Sequence, residues 1–505
     1  MRPGLSDKWA SVAKGGSMTK FLAALALLVL PTTAMAQEAP ASPGRSTFTA
    51  GACAVEVATD ERIDCGWLSV PENRARPDSR MIRLPVIIFR SRAETPAPDP
   101  VIFLTGGPGN SALTGQRSGK SNPFLNGRDQ VLLEPRGARL SQPFLDCPDI
   151  NAAKGEITAG RLRGAAAQTR LEAAAAICRA ALVASGVDLD GYTSAEAADD
   201  IEDLRLALGA PQVNLYGLSY GTRLALTVAR RHPASVRSMV LDSVLPPEVN
   251  FDEMASANLR RALNRVFDGC AVDPVCARAW PDLKGDFAAL IARADRSPLP
   301  IAVPGAAVEV RGAQVADAIA GVLGDPDRTP LIPRAIGEAK AGRYDLLTDW
   351  VGRAQSPSTF AWGLRLSVWC AEEAPFEDAA TVEAQTAAEQ GLGGLDGRAA
   401  SPALCRVWDV KPADAVENTP VRSDIPTLIL AGEYDPNTPS SWARGLLANM
   451  PNAMVVELPG RGHGASFNAC GGRLAFDFIN DPTHLPSPVC AAKLQGANFA
   501  LSAAR

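Results

Sequence analysis

Val213-Asn214-Leu215-Tyr216-Gly217-Leu218-Ser219-Tyr220-Gly221-Thr222 is the stretch on which the fold turns. The apolar run ahead of Gly217 has the length and composition of a buried strand, and residues 224–231 have helical character. A strand that breaks at Gly-x-Ser-x-Gly and resumes as a helix makes a sharp turn that lifts a serine hydroxyl above a sheet. Glycine is called for on both sides because the turn brings backbone too close for a Cβ. Ser219 would then stand at a helix N-terminus, where the dipole favours developing negative charge. The pattern predicts a nucleophilic serine, with an ordinary strand-to-helix turn as the plain alternative.

Outward from this turn, strand patterns cover 81–89, 101–104, 130–134 and 238–244, with helical patterns over 165–185 and 194–208. Strands alternating with helices imply a mostly parallel sheet wrapped on both faces, an α/β class. The alternation stops after Pro246, and the pattern to Asn418 is mostly helical. Buried-strand patterns resume at 427–431 and 454–458. The predicted organisation is an N-terminal extension and signal over 1–36, a first core part over 37–245, a helical lid over 246–418 and a second core part over 419–505.

Acyl transfer by serine needs a base, an acid that orients the base, and donors for the oxyanion. Asp435 follows the 427–431 strand in Gly432-Glu433-Tyr434-Asp435-Pro436, and His463 follows the 454–458 strand in Gly460-Arg461-Gly462-His463-Gly464. The chain has three histidines. His232 closes the helix after the turn and His484 lies in a Pro-rich tail, so His463 is the one placed for catalysis. Glu433 and Asp242 are the rival acids, and both read as structural. The order Ser219, Asp435, His463 is that of α/β-hydrolases. Gly106-Gly107-Pro108-Gly109 follows the 101–104 strand, where an oxyanion loop is expected. The N–H groups of Gly107 and Tyr220 are the predicted donors.

Residues 18–36 carry the marks of a secretory signal: Lys20, an apolar stretch over 21–30, and Ala34-Met35-Ala36 before Gln37. The ten cysteines, an even number, suit disulfides in an exported chain, and in sequence order they would make five local pairs. The net charge of −5 gives no basic excess for nucleic acid. No spacing points to a metal, no cofactor is called for, and no stable membrane insertion is expected once the signal is removed.

Taken together, Gly106-Gly107-Pro108-Gly109, Glu134-Pro135-Arg136-Gly137, Asp200-x-x-Asp203-Leu204-Arg205, the Ser219 turn, Gly432 to Pro439 and Gly462-His463-Gly464 resemble one family. It is the proline iminopeptidase and tripeptidyl aminopeptidase branch of the α/β-hydrolases, and the likeness is greatest to its exported, cysteine-containing, TAP-like members. The resemblance implies a cofactor-free serine exopeptidase that releases short N-terminal peptides or single residues. It also implies an acidic segment that holds the substrate α-amine, for which Glu372 and Glu373 in Trp369-Cys370-Ala371-Glu372-Glu373 are the counterparts. Thr105 stands where cytoplasmic relatives have histidine, and Glu134 where many have aspartate. Ester and amide hydrolysis use the same machinery, so a carboxylesterase or amidase acting on small substrates is the alternative. A non-catalytic binding protein on the same fold is a further one.

Overall fold

The computed structural model describes residues 46–57, 60–114, 122–355, 359–395, 398 and 400–499. The signal-like segment 18–36 lies outside them. The strands are β1 (Thr47–Ala50), β2 (Ile63–Pro71), β3 (Met81–Phe89), β4 (Val101–Leu104), β5 (Gln130–Leu133), β6 (Val213–Leu218), β7 (Val236–Asp242), β8 (Thr427–Gly432) and β9 (Ala453–Leu458). They form one sheet in the order β1-β2-β3-β5-β4-β6-β7-β8-β9. Pairing is antiparallel from β1 to β5 and parallel from β5 to β9. The parallel strands are near-continuous apolar runs because both their faces are covered.

Before β6 come α1 (Pro148–Thr158), α2 (Gly164–Ala184) and α3 (Ser194–Ala207), and after it α4 (Tyr220–Arg231). Between β7 and β8 lie α5 (Phe251–Val272), α6 (Pro274–Ala279), α7 (Leu283–Arg296), α8 (Gly312–Ala320), α9 (Ile332–Lys340), α10 (Asp345–Ala354), α11 (Trp362–Glu372), α12 (Ala379–Glu389) and α13 (Pro402–Trp408). The chain closes with α14 (Ser440–Leu446), α15 (Ala469–Asn480) and α16 (Val489–Ala492). Several starts are set by local chemistry. The side chains of Thr193, Asn250 and Asn468 accept first-turn N–H groups of α3, α5 and α15.

One face of the sheet packs on α3, α4 and α14 through residues such as Leu215, Leu241, Leu204, Leu226 and Leu446. The other packs on α15 through Tyr216, Val240, Leu430 and Phe478. Helices α5 to α10 share a core of their own, joined by Tyr434 and Phe499. Helices α11 and α13 pack instead on α1, α2 and Tyr220. The β7 strand starts and stops two residues earlier than its sequence pattern suggests. Ser243 has φ 59° and turns the chain out of the sheet. The 47–50 stretch pairs with β2 as an edge strand that its polar sequence does not announce.

The cysteines pair in sequence order: Cys53–Cys65, Cys147–Cys178, Cys270–Cys276, Cys370–Cys405 and Cys470–Cys490. The second joins α2 to the start of α1, and the fourth joins α11 to α13. Among the described residues no helix is long and apolar enough to cross a membrane.

Candidate active site

Three loops at the carboxyl ends of β6, β8 and β9 carry Ser219, Asp435 and His463, the place where open parallel sheets bind ligands. Ser219 follows β6 directly, caps α4, and has φ 57° and ψ −125°. A non-glycine residue adopts such a conformation only when its surroundings hold it. Here its N–H donates to the Asp242 carbonyl at 3.0 Å, and its own carbonyl accepts the Thr222 N–H at 2.8 Å. Gly221 is required by close approach: a Cβ there would lie 2.0 Å from the Leu104 carbonyl oxygen.

Asp435 is fully buried. Its carboxylate accepts the N–H groups of Asn437 at 2.8 Å and Thr438 at 3.0 Å, the Thr438 hydroxyl at 2.7 Å, and His463 Nδ1 at 2.9 Å. Burial works against its charge. The His463 ring and the donated hydrogen bonds outweigh that and hold the carboxyl below its ordinary range. Burial also opposes charge on His463, and the adjacent Asp435 carboxylate again prevails, raising the imidazole above its ordinary value. The His463 side chain keeps 28% of its surface open, and Asp435 holds the ring at Nδ1. Its Nε2 is therefore the nitrogen left to exchange a proton.

The loop bearing His463 is threaded between a strand end and the helical insertion between β7 and β8, the segment expected to form the lid. A Cβ on Gly462 would lie 2.4 Å from the Leu323 carbonyl oxygen, in the lid segment after α8. On the core side, the Asp242 carboxylate accepts the N–H groups of Ala465 at 2.8 Å and Ser466 at 2.9 Å, together with the Ser466 hydroxyl. The Ser243 hydroxyl accepts the Gly464 N–H at 2.9 Å. Asp242 is thus the buttress of the His463 loop, a role invisible in sequence because its partners lie more than two hundred residues away. Glu433 accepts the Gly460 N–H at 2.9 Å and braces the same loop. From the lid, Arg261 donates to the Asp435 carbonyl and Asn258 to that of Asn437.

Gly107 lies in the loop after β4 with φ 117°. The neighbouring Gly106 packs on the serine, since a Cβ there would lie 3.0 Å from Ser219 Cβ. Tyr220 opens α4, its amide free of the helix's own ladder. Its buried hydroxyl pairs with Ser194 Oγ at 2.8 Å. Glu134 anchors the far end of the Gly-rich loop, accepting the Ser111 hydroxyl at 2.7 Å and the Ala112 N–H at 2.9 Å.

Glu372 and Glu373 are 5% and 1% exposed. Glu372 accepts the N–H and hydroxyl of Ser194, both at 2.6 Å. Glu373 pairs with Arg223 and accepts the Phe251 N–H at 2.6 Å. Burial pushes its carboxyl up to about 7 despite the Arg223 charge. Both carboxylates are engaged inside the protein, and neither is turned to solvent.

Residues 99–277 match the family described as alpha/beta hydrolase fold, and 396–488 match the TAP-like protein family. A tripeptidyl aminopeptidase of Streptomyces lividans is 32% identical over 205 residues, 39% of this chain and 38% of the relative, so the match spans well under two thirds of that enzyme. Serine protease Hip1 of Mycobacterium bovis is 26% identical over 435 residues, 80% of this chain and 82% of the relative. Among solved structures, an α/β-hydrolase from a Medee basin deep-sea metagenome library aligns over 80% of this chain and 97% of its own. Its identity is 14% and its TM-score 0.38. By these family matches the chain has the α/β-hydrolase fold over its first core part and a TAP-like C-terminal region.

Proposed function

We propose that the protein is an exported serine aminopeptidase that releases short peptides or single residues from free N-termini. Ser219 is the nucleophile, His463 the base, and Asp435 the acid that orients it. The observation carrying this reading is the buried Asp435 hydrogen-bonded to His463 Nδ1 at 2.9 Å, on loops flanking a serine held in the left-handed region. In the reaction, His463 Nε2 takes the Ser219 proton as Oγ attacks the scissile carbonyl. The N–H groups of Gly107 and Tyr220 receive the oxyanion. Collapse expels the amine, protonated by His463, and leaves an acyl-enzyme. Water, deprotonated by the same imidazole, then frees the acyl group and restores Ser219.

The aminopeptidase element is supported by the names of the relatives. Export is supported by the signal-like segment 18–36 and the five disulfides. A second reading, a carboxylesterase or amidase on small substrates, is favoured by one observation: Glu372 and Glu373, the two carboxylates expected to hold an α-amine, are committed to protein partners. Peptidyl arylamides with free and N-acetylated ends, and simple aryl esters, separate the two when run beside Ser219→Ala. Cleavage confined to free N-termini and lost in the variant supports the aminopeptidase. Efficient ester cleavage indifferent to a free amine supports the esterase, and equal rates for protein and variant end both readings.

A further inference from the structure

Gly107 and Gly109 have φ of 117° and 121°, conformations open to glycine and costly for other residues. Between them stands Pro108, which has no N–H to donate. Pro108 is fixed in φ, so the freedom of the loop lies at its glycines. Oxyanion donors are effective only when they are aimed before the reaction begins. Something outside the loop must therefore hold it.

The holding groups come from the lid. Ala361, just before α11, donates its N–H to the Gly109 carbonyl at 3.0 Å. The Phe360 ring lies so close that a Cβ on Gly109 would sit 2.8 Å from it. One turn into α11, Arg365 donates from Nη1 to the Gly107 carbonyl. The Arg365 guanidinium is fixed in turn by stacking on Trp369, 3.6 Å from its ring centroid. Burial lowers its pKa to about 10, with Asp252 and Glu373 favouring its charge and Arg223 opposing it, so it is cationic at neutral pH. It is a charged donor held on the carbonyl of the residue proposed as the second oxyanion donor.

We infer that Arg365 is a positioning residue: by holding the peptide unit that follows Gly107 from the lid, it limits the swing of the Gly107 backbone, steadies the Gly107 N–H through it, and makes α11 part of the acyl-transfer machinery. The inference rests on the reading of Ser219 as nucleophile and Gly107 as oxyanion donor. It goes beyond that reading by giving the lid a role in rate and not only in cover.

The test uses a fluorophosphonate probe, which reports on the serine and its oxyanion site without a known substrate. Full-length protein, Arg365→Met, Arg365→Lys and Ser219→Ala are compared for two readouts, the rate constant of labelling and the fraction labelled at completion. Methionine keeps apolar contact with Trp369 and removes the donor. Its rate constant is expected to fall about 10- to 100-fold, less than the roughly 100- to 1000-fold of losing an oxyanion donor outright, at an unchanged final fraction. Lysine, which restores one charged donor, is expected to recover at least a third of the native rate constant. A residue that only packs the lid would lower the final fraction and leave the rate constant of the folded molecules alone. Rate constants within twofold of the native one for both variants would overturn the inference. Should Arg365→Met not fold, Arg365→Ala with added guanidinium decides, since acceleration by the cation supports the role and indifference refutes it. Labelling of Ser219→Ala would instead remove the nucleophile reading itself.

Discussion

Replacing Asp242 separates a buttress from a bystander. Its carboxylate is wholly buried and accepts two backbone N–H groups and two hydroxyls, those of Ser466 and Ser243. Asp242→Ala would leave the N–H groups of Ala465 and Ser466 without their carboxylate partner in a buried site. At about 1–3 kcal/mol for each buried unsatisfied group, the loss is about 2–6 kcal/mol. That is a large share of a typical stability of about 5–15 kcal/mol. Asp242→Asn keeps one acceptor and turns an NH2 toward the other donor, so its cost is about 1–3 kcal/mol. The loop that moves is the one bearing His463, and a displacement near 1 Å costs about a hundredfold in rate. Urea unfolding followed by tryptophan fluorescence gives the first number, and fluorophosphonate labelling rates give the second. If Asp242→Asn stays within about 0.5 kcal/mol of the parent and labels at the parent rate, the carboxylate does not position the His463 loop.

The pH profile tests the Asp435–His463 pair. His463 must be neutral to accept a proton, and Asp435 raises its pKa, so kcat/KM should climb with a midpoint above about 6.5. In Asp435→Asn the residual activity should have its midpoint lower, and an unmoved midpoint would show that the pair does not govern the limb. The same shift has a stability sign. A raised folded pKa contributes stability present in full below the unfolded value and lost as pH rises through the folded one. Denaturation midpoints across that window should therefore flatten in His463→Gln. Gly462→Ala places a methyl 2.4 Å from the Leu323 carbonyl and should cost activity by pushing the His463 loop off the lid; native labelling rates would refute this. Glu372→Gln sets an amide against both donors of Ser194, so the expected result is a stability loss of about 1–3 kcal/mol with unchanged KM for free peptides. A tenfold rise in KM at native stability would return Glu372 to amine binding.

Which features were legible in the chain follows from how far apart their causes lie. The β6–Ser219–α4 turn is written in ten consecutive residues, because its glycines, its apolar strand and its helix are neighbours in sequence. Asp435 and His463 follow recognisable strands, and histidine is scarce enough for position to select one. The edge strand β1 escaped notice because Thr47 to Ala50 are mostly exposed and lack apolar alternation.

Hydrophobic period and turn chemistry act over a few residues, so the α/β class, the strand-borne loops and the order of their side chains can be read along the chain. What steadies those loops comes from segments brought together by folding. Asp242 meets residues 465 and 466, Arg261 meets the Asp435 backbone, and Arg365 meets Gly107. Folding also decided that Glu372 and Glu373 are turned inward, and that α11 and α13 side with α1 and α2. Contacts between distant segments depend on how whole helices pack, and packing is settled by the shape of the assembled core.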